Sequence, residues 1–125
     1  MFNAALIFGP DGSLLQSYRK HHLLPPYENR YTPGKDLALL DVGEANHAGI
    51  AICKDMDFVQ PAKEYSRQGV GILFVPALDF HDDGWLHARV AIMRGVEGNY
   101  SVARAAQWGL LTAQTAIRFI WPKHC

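Results

Sequence analysis

Gly49-Ile50-Ala51-Ile52-Cys53-Lys54-Asp55-Met56-Asp57-Phe58 decides how this chain folds. Its first four residues are small or β-branched and suit a buried strand, and the chain turns polar directly after a single cysteine. A thiol at the C-terminal edge of a buried strand stands where open α/β sheets place their ligands. From these residues alone, Cys53 reads either as a small buried hydrophobe, the common fate of a free cysteine, or as a nucleophile.

Downstream the period changes. Residues 59–68 carry Pro61 in an expected first turn and Gly69 just past the end, which predicts a helix. Val70-Gly71-Ile72-Leu73-Phe74-Val75 is a continuous apolar run, the mark of a strand covered on both faces. Asp82-Asp83 can cap a second helix, on which Leu86, Val90, Met93 and Glu97 share a face. Gly98-Asn99 stops that helix, and 100–106 reads as a strand. Upstream, runs at 3–8 and 14–18 flank Gly9-Pro10-Asp11-Gly12, a hairpin signal. Pro25-Pro26 breaks regular structure and holds Glu28 on a stiff loop. Segments 38–42 and 48–52 read as two more strands. Strand–helix–strand–helix–strand from Ile50 to Ala106 implies an α/β layer architecture.

The bulk composition narrows the function. At 125 residues the chain is one domain at most, and a hydrophobic content of 49% supports a packed core. Twelve basic and twelve acidic residues cancel, so the clustered basic excess of a nucleic-acid binder is missing. The two cysteines, Cys53 and Cys125, make neither a disulfide framework nor a Cys-x-x-Cys metal pattern, so a reduced, cytoplasmic setting is expected. No stretch reaches the ~18 apolar residues of a membrane span, and the N-terminus has no basic segment of the signal-peptide kind. His21 and His22, read as strand neighbours, point to opposite faces, so no metal is expected on the pair.

Four stretches together resemble the nitrilase, or carbon–nitrogen hydrolase, superfamily. Tyr18-Arg19-Lys20-His21-His22-Leu23-Leu24-Pro25-Pro26-Tyr27-Glu28 is similar to its lysine motif, and Ala51-Ile52-Cys53-Lys54-Asp55 to its nucleophile elbow. Val75-Pro76-Ala77, with His87 and Arg94-Gly95-Val96-Glu97-Gly98-Asn99-Tyr100, resembles the strand and helix that follow. Val102-Ala103-Arg104-Ala105-Ala106 resembles the strand after that. Within the superfamily the pattern looks nearest to the apolipoprotein N-acyltransferase-like branch.

The resemblance implies a partial αββα sandwich over residues 1–111, with 112–125 as an atypical tail. It makes Cys53 the nucleophile, Lys20 the catalytic lysine that stabilises the oxyanion, and Glu28 a second glutamate supporting Lys20. The backbone N–H of Lys54 would be the partner donor. Trp85 and His87 are candidates for a substrate cleft, with helix packing as the other reading. Arg94 and Glu97, at i and i+3, are expected to pair. Substrates would be small amides, nitriles or other acyl donors; no cofactor or metal is called for, and the second helix is a candidate homodimer contact.

Two departures shape the expectation. The family's general-base glutamate belongs upstream, and no residue in 1–19 is a glutamate. The tail lacks the Asp-x-x-Gly turn expected after the Arg104 strand. A chain truncated at its N-terminus, and also at its C-terminus, is therefore expected, with Cys125 adventitious. Three function classes follow: a cysteine hydrolase or acyltransferase working through a thioester, which includes lipoprotein N-acylation; a catalytically inactive fragment; and a dimerising interaction module.

Overall fold

The computed structural model describes residues 1–44, 46–80 and 82–106, and the backbone of 112–114. Strands β1 (Ala4–Phe8) and β2 (Leu14–Arg19) form an antiparallel hairpin that pairs Ala4 with Arg19. Its turn is the expected one. The Asp11 carboxylate accepts from the Ser13 N–H and hydroxyl, and Gly12 takes the left-handed φ of 80°.

The second sheet has five strands in the order β3 (Leu39–Asp41), β4 (His47–Ile50), β5 (Val70–Ala77), β6 (Ser101–Ala106) and β7 (Thr112–Gln114). Its central pairs β4–β5 and β5–β6 are parallel, and the outer pairs are antiparallel. Helix α1 (Val59–Arg67) connects β4 to β5, and α2 (Gly84–Gly98) connects β5 to β6. These are the two βαβ crossovers that the change of period predicts.

β4 alternates between two cores. Ala51, just past its end, joins Met56, Ala62, Tyr65, Leu73, Val75, Ala91, Tyr100 and Val102 between the sheet and the helices. Ile50 and Ile52 face the other way and pack with Tyr18 and Ala38, with Ala5 and Ile7 of the hairpin against them. Helices, large sheet and hairpin thus make three successive layers, an α/β arrangement in keeping with the partial αββα sandwich.

Several details differ from expectation. The strand read as 48–52 ends at Ile50, although the Ala51 N–H still bonds Phe74 O at 3.0 Å, because the chain must leave the sheet to form the next turn. On α2 the buried side is Ala88, Ala91, Gly95 and Gly98, while Leu86 and Met93 are exposed. Close approach to β6 and α1 leaves room only for small residues there. Asp83 occupies the N-cap position but makes no side-chain cap bond, its carboxylate lying instead toward His87. The atypical tail with Cys125 lies outside the described residues except for the β7 backbone, so the boundary at 111 is an expectation only.

Candidate active site

The cysteine turn is built by one buried carboxylate. Cys53–Asp57 form a short 3-10 turn, and within it Asp55 is 1% exposed. Asp55 accepts from Ile52 N–H at 2.9 Å, Tyr18 Oη at 2.8 Å and His22 N–H at 2.8 Å, and His22 Nδ1 lies 3.1 Å away. The first bond closes the turn on itself, and the others cross to the hairpin and the loop after it. Cys53, at the head of the turn, has a left-handed φ of 46°. A non-glycine residue rarely holds that conformation unless its surroundings enforce it. Arg94 of α2 adds a second tie through Met56 O at 3.0 Å and Asp57 O at 3.3 Å.

Lys20 follows β2 and is buried, its N–H on Asn3 O and its carbonyl on Gly34 N–H. Its ammonium donates to Glu28 Oε2 at 2.6 Å. Glu28 also accepts from Leu24 N–H at 2.6 Å and from Asn3 Nδ2. Burial works to raise the Glu28 pKa, but donors from Lys20, Asn3 and Leu24 outweigh it and hold the carboxyl below its ordinary value. At Cys53 burial wins: it pushes the thiol up, with Lys20 and Arg104 pulling the other way and Asp79 adding to the rise.

Cys53, Lys20 and Glu28 line one cavity of about 720 Å³. Most of its wall is apolar, and Tyr27 and Phe80 stand together there with ring centroids 5.5 Å apart. Lys54 follows the thiol directly; its side chain turns to Asp57 at 3.4 Å and leaves its backbone as the feature of interest. Trp85 and His87 are not among the residues lining this cavity. His87 sits between Asp57 at 3.3 Å and Asp83 at 3.4 Å, and Trp85 is exposed beneath the Arg89 guanidinium. Of the two, only His87 reaches the cysteine turn, through Asp57. The Arg94–Glu97 pair forms as expected at 2.5 Å. His21 and His22 lie past the strand end and take separate partners, Asp36 O and Asp55.

Sequence reasoning missed three residues. Asp55 reads as a strand-end charge yet organises the turn. Asp79 and Arg104 are both buried and hydrogen-bonded to each other. Asp79 Oδ1 lies 4.0 Å from Cys53 Sγ. The signal for Arg104 was present: a charge inside the apolar stretch Val102-Ala103-Arg104-Ala105-Ala106 needs a buried partner. Among the described residues no cluster of His, Cys, Asp or Glu could hold a metal ion, and no helix is long and apolar enough to cross a membrane.

Comparison with known proteins sets this geometry in a lineage. The omega-amidase NIT2 of Danio rerio is 33% identical over 85 residues, covering 61% of this chain and 30% of that protein. The human omega-amidase NIT2 is 32% identical over the same length. Among solved structures, Saccharomyces cerevisiae Nit3, a member of branch 10 of the nitrilase superfamily, superposes with a TM-score of 0.76 at 28% identity, covering 92% of this chain and 42% of that one. An amidase from Nesterenkonia sp. shares the fold with a TM-score of 0.74 at 23% identity, covering 82% of this chain and 40% of that one.

These relatives correct the expected branch. The similarity runs to omega-amidases and Nit3, and not to the apolipoprotein N-acyltransferase-like branch that the motif pattern suggested. The chain spans about 30% of the length of the curated relatives it matches. The profile described as Carbon-nitrogen hydrolase matches residues 1–120, nearly the whole chain, and on that match, with the fold beneath it, the chain belongs to the carbon–nitrogen hydrolase family.

Proposed function

We propose that this domain cleaves the carbon–nitrogen bond of small amides through a thioester on Cys53. The observation that carries the reading is the meeting of Cys53, Lys20 and Glu28 on one cavity, with the thiol at the head of an enforced left-handed turn. Cys53 Sγ attacks the amide carbon, and the thiol proton is carried through water to the amide nitrogen that will leave. Negative charge then develops on the carbonyl oxygen, where the Lys20 ammonium and the Lys54 N–H stabilise it, each such donor contributing ~3–4 kcal/mol. The carbon–nitrogen bond breaks as the amine takes up a proton, and water hydrolyses the thioester to the acid and the free thiol. Glu28 already accepts three N–H donors, so it holds Lys20 in place and is poorly suited to take the thiol proton.

Intact-mass measurement after incubation with short aliphatic amides or activated esters should show one acyl group on Cys53. Cys53→Ala should lose the adduct and lower turnover by about 10³-fold or more. Equal turnover by Cys53→Ala would overturn the proposal.

A second reading concerns association. The outward side of α2 exposes Trp85, Leu86, Met93 and Val96 in close succession, an apolar strip of the kind that marks contact sites. Arg89 stands in the first half of the helix and Glu97 in its last turn. Two copies of α2 packed antiparallel would set unlike charges opposite each other, the self-complementarity that a twofold dimer needs. The partner we propose is a second copy of this chain.

A further inference from the structure

Behind the cavity wall lies a charge pair that the thioester chemistry leaves without a role. Arg104 sits on β6, inside the five-stranded sheet, opposite Val75 of β5 and Thr112 of β7. Asp79 lies two residues beyond the end of β5. Both are 4% exposed, and Arg104 Nη2 donates to Asp79 Oδ2. The other carboxylate oxygen, Oδ1, is 4.0 Å from Cys53 Sγ, and Leu78 O is 3.9 Å from it. These are the distances of long hydrogen bonds from a thiol. Neither Asp79 nor Arg104 lines the cavity.

Stability alone does not account for the pair, since apolar residues of the same volume often serve a buried site as well or better. Its arrangement toward the sulfur is specific: one oxygen is tied to the guanidinium and the other faces Cys53 Sγ within reach of S–H. We propose that Asp79 is a positioning residue for Cys53, holding the thiol proton and aiming the sulfur, while Arg104 fixes the carboxylate and limits its charge. Asp79 is not the base. Protonating it would strand Arg104 as an unpaired buried cation. The proposal rests on the reading of Cys53 as the nucleophile. Among the described residues, the charged groups around the thiol are Lys20 and Glu28 from the loop after β2, Asp79 from the end of β5 and Arg104 from β6. Among them Asp79 favours the protonated sulfur, and Lys20 and Arg104 favour the thiolate.

The test reads thiol ionisation directly. Alkylation of the 125-residue chain by iodoacetamide is followed between about pH 6 and pH 11 on the peptide that contains Cys53, separately from the one that contains Cys125. D79N keeps the shape and removes the charge, so the midpoint should fall by about one pH unit or more. R104Q leaves the carboxylate uncompensated and should move the midpoint up. The double variant D79N/R104Q, which leaves no uncompensated buried charge, should return toward the parent, and it decides the matter with whichever single variant folds. An unchanged midpoint in D79N, or shifts of the same sign in the two single variants, overturns the proposal. Because alkylation needs no turnover, the two ideas fail separately. Opposite shifts without acylation by any amide would sink the amidase reading and leave the pair standing, and acylation with unmoved midpoints would do the reverse.

Discussion

A single carboxylate, Asp55, joins residues that are far apart in the chain: its partner Tyr18 is 37 positions away and His22 is 33. Tyr18 is fully buried, and burial together with the adjacent Asp55 charge pushes its phenol well above the usual range, so it stays a donor at every ordinary pH. Tyr18→Phe removes that donor and keeps the ring. Hydrogen bonds to charged groups contribute about 1.5–3 kcal/mol, and urea unfolding should report a loss of that size. A loss below about 0.5 kcal/mol, the range of ordinary surface substitutions, would mean that Asp55 does not depend on this bond. That Cys53, Lys20 and Glu28 meet on one cavity was foreshadowed in the sequence, because each sits in a short motif whose neighbours fix its setting. Asp55 and Asp79 were not, and Arg104 signalled only that it needed a buried partner and not which one, because what defines each is a partner brought near by the fold. Nothing in residues 50–57 announces Tyr18.

Helix α2 shows the same division at the scale of an element. Its limits were readable to within a residue or two, from Asp83 at one end to Gly98-Asn99 at the other, and Asn99 indeed ends it in a left-handed conformation with φ 53°. Its inner face was not. Large apolar residues attract the eye, yet Leu86 and Met93 point outward, and the face against the sheet is made of alanine and glycine. Contact distance, not hydrophobicity, selects that face. A Cβ added at Gly98 would run into the buried ring of Tyr100. Gly98→Ala should therefore cost about 1–3 kcal/mol by overpacking, against the gain of nearly 1 kcal/mol that the same change brings in an open helix. Chemical denaturation decides the sign, and a stabilised variant would show that the ring moves aside easily.

At the largest scale the described residues form two packed sheets with helices over the larger one. The α/β layering was readable from the order of strands and helices, whereas the alternation of residues 50–52 between two cores appears only in the structure. The packing of the hairpin against the larger sheet was not readable either, since it depends on contacts of high sequence separation. Association belongs to this scale as well. If α2 carries a twofold contact, sedimentation should show a monomer–dimer equilibrium, and Met93→Glu should shift it to monomer without changing the far-UV signal. A monomer at every concentration would remove the dimer.

The left-handed backbone at Cys53 has a consequence for how such a chain drifts. At this position glycine would be at ease, while any residue with a side chain carries a conformational cost of about 1–2 kcal/mol. Mutation toward glycine relaxes the turn and deletes the sulfur in the same step. A lineage released from chemical duty has a short downhill path away from cysteine here, so the residue survives only while something selects the thiol itself.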